Sequence, residues 1–140
     1  MDVGVVYYSK TGNTKKLAEA IAGAIGCTAA DVSEFDTGKT YDIMYIGGAI
    51  YGGKLDPALM QFIEGIDPSK VKRAALFTTY AFGESATGMM KALLKEKGIV
   101  SEDVVYKCKG KFMFFNGKSP NAKELEDAGK FAQQILSTEL

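Results

Sequence analysis

The sequence predicts an α/β domain built in three layers, a doubly wound parallel sheet of five strands in the order 2-1-3-4-5. Three observations predict it. Short apolar, β-branched and aromatic runs alternate with segments of helical periodicity, in the order β-α-β-loop-β-α-β-α-β-α, which yields a parallel sheet with helices on both faces. The runs around Val3, Ile43 and Ala74 are apolar on both faces and belong at the centre, whereas those at Thr28 and Val104 are more polar and belong at the edges. Glycine, serine, threonine and asparagine gather after the three central runs. A chain of 140 residues is long enough to bury a core of its own, and no linker, repeat or low-complexity stretch divides it, so residues 1–140 read as a single domain.

Taken in order, Val3-Gly4-Val5-Val6-Tyr7-Tyr8 is the first buried strand. Leu17, Ala18, Ile21, Ala22 and Ile25 recur at helical spacing up to Gly26, a helix stop. Thr28 to Val32 is a weak strand of mostly small residues, and Ser33 to Thr40 is a polar loop. Tyr41 to Ile46 is a dense apolar strand that runs into a glycine-rich loop, Gly47 to Lys54. Asp56-Pro57 opens a helix, with Asp as N-cap and Pro at the first helical position, and Gly65 ends it. Arg73 to Thr79 is the next buried strand, followed by the Gly/Ser/Thr-rich loop Tyr80 to Gly88. A helix through Met89, Met90, Leu93 and Leu94 stops at Gly98. Val104 to Lys109 alternates partly, as an edge strand does, and Lys111 to Phe115 either continues it past Gly110 or pairs beside it. Asn121 with Glu124 three residues later is a capping-box start for the last helix, whose buried stripe is Leu125, Ala128, Phe131, Ala132 and Ile135.

In such a sheet, ligands bind beyond the carboxyl ends of the strands, where the direction of winding switches between the first and third. Three loops meet there: Ser9–Thr14, Gly47–Lys54 and Tyr80–Gly88. Ser9-Lys10-Thr11-Gly12-Asn13-Thr14 packs three hydroxyls, one Asn and one Gly into the turn between the first strand and first helix. Free N–H groups at a helix start attract anions, and the hydroxyls add donors, so this turn reads as a phosphate cradle. Read as an ordinary helix start, it would be capped by Thr11 or Asn13. It is neither G-x-x-x-x-G-K-[ST] nor G-x-G-x-x-G, and neither pattern occurs elsewhere, which disfavours ATP, GTP and classical NAD binding. In the second loop Gly47, Gly48, Gly52 and Gly53 bracket Ile50 and Tyr51; in the third, Tyr80 and Phe82 precede Gly83. Aromatic planes beside glycines suit a flat ring, each contributing on the order of 0.5–1.5 kcal/mol beyond area burial. The ligand these loops describe is a phosphate joined to a planar heterocycle.

Composition narrows the chemistry. Seventeen basic and 17 acidic residues give no net charge, and with it no electrostatic case for nucleic acid or an anionic membrane surface. No apolar run is long enough to span a membrane and no signal-peptide pattern opens the chain, so a cytoplasmic location is the expectation. The absence of histidine removes Ser-His-Asp and Cys-His catalysis, and Cys27 and Cys108 without C-x-x-C spacing make a metal site improbable. Each cysteine reads as a small apolar residue in or near a strand.

On these residues the chain resembles the flavodoxin family. Tyr8-Ser9-Lys10-Thr11-Gly12-Asn13-Thr14 is similar to that family's phosphate loop, T/S-x-T-G-N-T, and Gly47 to Leu55 resembles the second flavin loop of its shorter members, which include the menaquinone-dependent protoporphyrinogen oxidases. The resemblance implies noncovalent FMN. Ser9, Thr11 and Thr14 and the amides of Lys10, Gly12 and Asn13 would hold the phosphate. Ala49, Ile50, Tyr51, Gly52 and Gly53, with Thr79, Tyr80, Ala81, Phe82 and Gly83, would sandwich the ring. A backbone carbonyl near Gly52 would turn toward the protonated flavin N5. The implied function is electron transfer, with the flavin cycling between oxidised, semiquinone and hydroquinone states, and with a reductase and an electron acceptor as redox partners of a monomer or weak dimer.

The chain departs from the electron-carrier pattern in lacking Trp, in its neutrality where carriers are acidic, in having no ~20-residue insertion in the last strand, and in placing Lys54 near the ring. A second expectation is therefore a small FMN-dependent oxidoreductase of the protoporphyrinogen oxidase or quinone reductase type. A flavin-free receiver-like module is disfavoured, because the first strand ends Tyr7-Tyr8-Ser9 and the third Gly47-Gly48, with no clustered acids.

Overall fold

The structure is a computed structural model that describes residues 2–10, 12–51, 54–80, 87–109 and 120–138, leaving out the side chains of residues 50, 51 and 109. Its strands are β1 (Val3–Tyr7), β2 (Ala29–Asp31), β3 (Tyr41–Tyr51), β4 (Lys54–Leu55), β5 (Val71–Tyr80), β6 (Val100–Ser101) and β7 (Tyr106–Lys109). Its helices are α1 (Asn13–Ile25), α2 (Pro57–Glu64), α3 (Thr87–Glu96) and α4 (Ala122–Ser137). The main sheet runs β2-β1-β3-β5-β6, with β7 also paired to β5 and all of these pairings parallel. This is the expected 2-1-3-4-5 order, with the fifth strand in two pieces.

Alternation along the three central strands divides the core. Val5, Tyr7, Ile43, Tyr45, Ala75 and Phe77 face α1 and α4, while Val6, Met44, Ile46, Ala74 and Leu76 face α2 and α3. Both faces of these strands are covered, which is why their sequences read as continuous apolar runs. Tyr45 crosses the first core and donates its hydroxyl to the Ala132 carbonyl at 2.8 Å, tying β3 to α4. The helix starts obey local chemistry. The Asp56 carboxylate accepts from Ala58 N at 2.8 Å, and Asn121 and Glu124 form a reciprocal capping box. Gly26 and Gly98 follow their helices at positive φ (79° and 76°), as left-handed stops do. Gly65 ends α2 in right-handed geometry instead, at φ −86°.

Two expectations need correction. The segment Gly47–Lys54 is not one loop: β3 carries through Tyr51, and β4 returns antiparallel, pairing Ile50 with Leu55 and Tyr51 with Lys54. Gly47 and Gly48 therefore lie inside a strand, where close packing demands them. A Cβ at Gly47 would lie 2.0 Å from the Phe77 ring, and one at Gly48 would lie 2.1 Å from Leu59 Cδ2. The edge strand is also not a single run from Val104. β6 pairs with the amino half of β5, and β7 with its carboxyl half. Between them Glu102 N donates to Ala74 O at 2.8 Å, and the Glu102 carboxylate pairs with Arg73. The Lys111–Phe115 expectation lies outside the described residues.

Candidate functional site

Helix α1 leaves β1 toward one face of the sheet and α2 leaves β3 toward the other, so the chain diverges at the adjacent carboxyl ends of β1 and β3. Ser9, Lys10, Gly12, Asn13 and Thr14 lie at this divergence; Thr11 lies outside the described residues. The N-cap of α1 is Gly12, at φ 92°, rather than Thr11 or Asn13. The positive φ is the physical reason for the correction, since glycine takes it without a Cβ penalty. Gly12 N donates to Ser9 Oγ at 3.0 Å, which closes the turn, and Lys16 N donates to Gly12 O at 3.1 Å, which starts the helix.

A glycine N-cap has no side chain with which to satisfy the first-turn N–H groups, and α1 has no side-chain cap. The helices α2 and α4, by contrast, are both capped by side chains. Among the described residues, a Cβ at Gly12 would meet no heavy atom within 4 Å, so the space beside this residue at the helix start is open. Lys10 is exposed, Ser9 partly so, and Asn13 is buried. An uncapped, dipole-positive helix end with adjoining hydroxyls and open space suits an anionic group such as a phosphate.

The sheet register brings the other candidate residues to the same edge. One row across β1, β3, β5 and β7 reads Tyr7, Gly47, Phe77 and Tyr106. The next rows across β3, β5 and β7 are Gly48, Thr78 and Lys107, then Ala49, Thr79 and Cys108. Ala49 and Thr79 are buried, and Tyr80, in register with Lys109, is half-buried. Thr14 is fully buried, and its Oγ1 lies 2.7 Å from Thr79 Oγ1. That bond fastens the first turn of α1 to the end of β5. Ile50 and Tyr51 belong to β3 by backbone; their side chains, and Gly52, Gly53, Ala81, Phe82 and Gly83, lie outside the described residues.

Sequence reading did not single out Thr78. Its Oγ1 is buried with no hydrogen-bond partner among the described residues, and a lone hydroxyl buried this way costs about 1–3 kcal/mol. The only signal in the sequence is two consecutive threonines ending an apolar strand.

The flanks of the site are kept neutral. Burial raises the pKa of Tyr7 above its ordinary value; Lys15 opposes the rise and Asp31 adds to it. On β7, burial and then the hydrogen bond from the Cys108 thiol to Glu124 Oε2 (3.2 Å) push Cys108 up to about 12. Burial likewise raises Tyr106, whose hydroxyl donates to the Glu124 carbonyl at 2.7 Å. Cys108 and Tyr106 are held as hydrogen-bond donors rather than as bases or nucleophiles. Among the described residues no group of three His, Cys, Asp or Glu could hold a metal ion, and no helix is long and apolar enough to cross a membrane.

Known proteins share this architecture. An uncharacterized protein of Methanocaldococcus jannaschii is 30% identical over 139 residues, spanning 89% of this chain and 90% of its own. The solved structure of a flavodoxin from the domain Archaea superposes with a TM-score of 0.81 at 21% identity, covering 99% of this chain and 98% of that one. Oxidised flavodoxin 2 from Bacillus cereus gives a TM-score of 0.77 at 18% identity, with 99% of each chain covered. A sequence profile of the flavodoxin domain matches residues 4–113, which takes in β1 through the start of the 110s, and the chain belongs to that flavodoxin domain family.

Proposed function

We propose that this chain binds FMN noncovalently and works as a small electron-transfer protein. The observation that carries the reading is the start of α1, which begins on a left-handed glycine with no side-chain cap, under open space, at the switch point of the sheet. Membership of the flavodoxin domain family supports flavin as the group held there.

In this reading Ser9, Lys10, Thr11, Gly12, Asn13 and Thr14 hold the phosphate through amides and hydroxyls. Ala49, Ile50, Tyr51, Gly52 and Gly53 flank the ring on one side, and Thr79, Tyr80, Ala81, Phe82 and Gly83 on the other. FMN, when bound, supplies the electron transfer. The chain's own residues would orient it: the Thr14–Thr79 bond holds the start of α1 against the end of β5, and the buried Ala49 and Thr79 would exclude water from that edge. Redox proteins that supply and remove electrons are the partners.

Titrating apoprotein with FMN and with riboflavin tests the reading. Two or three hydrogen bonds to a charged phosphate contribute about 1.5–3 kcal/mol each, so FMN should bind more tightly by roughly 100-fold or more. Equal affinity for the two flavins, or none for either, would overturn it. Steady-state turnover of a quinone or a porphyrinogen would instead favour an FMN-dependent oxidoreductase.

A further inference from the structure

We infer that Thr79 is a positioning residue for the phosphate: by donating its hydroxyl to Thr14 Oγ1 it frees the Thr14 proton for the anion, and so helps this chain tell FMN from riboflavin. This role presupposes the reading above, in which the FMN phosphate sits at the start of α1. The two oxygens lie 2.7 Å apart, and either can be the donor. Thr14 is fully buried and Thr79 is 3% exposed, so bulk water serves neither hydroxyl. Among the described residues neither hydroxyl has another hydrogen-bond partner. Two hydroxyls carry two protons, and the bond between them uses one. The second proton is left over in a buried pair, and a buried donor without a partner carries its full desolvation cost. A ligand that accepts a hydrogen bond there removes that cost.

Position decides which hydroxyl keeps the second proton. Two residues past Phe77 on β5, Thr79 falls on the face of the sheet that α1 and α4 cover, and there its Oγ1 meets the first turn of α1. Thr14 stands two residues past the Gly12 cap, among the N–H groups that a helix start leaves unpaired and that no side chain caps here. Those groups and the positive end of the helix attract an anion. A phosphate dianion offers only lone pairs, so a hydroxyl beside it must donate. If Thr14 donated to Thr79 instead, its oxygen would turn lone pairs toward the anion, and the Thr79 proton would be left without an acceptor. Anion binding therefore selects one direction, from Thr79 to Thr14 to phosphate. Hydrogen bonds in such a chain polarise one another, and the last, made to a charged group, is the strong one. Thr79, grouped above with the residues that flank the ring, thus serves the phosphate with its hydroxyl.

The test compares the affinities of variants for FMN and for riboflavin by fluorescence titration. Thr79→Val keeps the branched shape and removes the donor. It should weaken FMN about tenfold or more, the scale of one hydrogen bond to a charged group, and change riboflavin by less than about twofold. Thr79→Ala, measured alongside so that the comparison does not hang on one fold, should show the same selective loss. Thr79→Ser restores the hydroxyl and should recover most of the FMN affinity. In a Thr14→Val background, Thr79→Val should leave the ratio of the two affinities unchanged, because the hydroxyl it positions is gone. A packing role for Thr79, or a contact with the ring, would weaken both flavins together. Equal losses for the two flavins, no loss for either, or no recovery in Thr79→Ser would refute the role and leave the phosphate site standing. A parent protein that binds FMN no better than riboflavin would remove the phosphate reading itself.

Discussion

At Gly12 an added Cβ would meet no atom of the described residues within 4 Å, and the backbone stands at φ 92°; at Gly47 the same atom would lie 2.0 Å from the Phe77 ring, in an ordinary strand. Both glycines reach the same edge of the sheet, yet one is held for its conformation and the other for its lack of volume. The open glycine leaves a helix end uncapped and accessible. The packed pair, Gly47 and Gly48, lets Phe77 close down on one face of β3 and Leu59 on the other. A site that must admit a ligand and a core that must exclude water thus use one residue type for opposite ends.

Substitutions at these positions separate the two uses, and the packed region should respond most. Gly47→Ala drives a methyl into an aromatic ring between buried strands and should cost about 3 kcal/mol of stability in urea unfolding. Phe77→Leu in the same background should recover part of the loss; a Gly47→Ala protein as stable as the parent would break the comparison. Gly48→Ala should cost less, about 2 kcal/mol, because the atom it meets is the tip of the Leu59 side chain, which can turn away. Gly12→Ala meets open space but keeps the left-handed strain, about 1–2 kcal/mol in the same assay. Unlike the other two, it should weaken FMN far more than riboflavin, which an unchanged ratio of the two affinities would contradict.

Asp56→Ala removes a side-chain cap that α1 never had. It should cost about 1 kcal/mol and leave FMN affinity unchanged, so that capping and ligand binding are distinguished on two helices of one molecule. The last effect is confined to alkaline pH and concerns the outer flank of the Ala49–Thr79 row. The Cys108 thiol, ordinarily titrating near 9.0, is raised to about 12 by burial and by Glu124. Below pH 9.0 it is protonated whether folded or unfolded; above that, the unfolded chain gives up the proton first, so stability falls as pH rises toward 12. The unfolding midpoint should decline over that window, and Cys108→Ala should flatten the decline. An unaltered profile would show that the thiol is not held protonated by the fold.

Much of this was legible in the sequence. The central strands announced themselves because burial on both faces leaves nothing but apolar residues, and Asp56-Pro57 and Asn121 with Glu124 marked helix starts because capping is local chemistry. The hexapeptide Ser9–Thr14 was legible as a strand-to-helix turn, although its cap is Gly12 rather than Thr11 or Asn13. The β3–β4 return was not: glycines in sequence read as loop, and only the ring of Phe77 and the side chain of Leu59 reveal them as strand. The broken fifth strand was hidden likewise, since the Arg73–Glu102 pair and the Glu102–Ala74 bond join residues about thirty positions apart.

The sequence by itself determined the alternation of strands and helices, the sheet order, and the turn that opens α1, because periodicity, propensity and capping act within a few residues. Only the packed fold shows which glycine is open and which is packed, and that Thr14 and Thr79 share a hydrogen bond across 65 positions. Those facts depend on register between strands distant in the chain, and register is set by how whole faces pack rather than by any local run of residues.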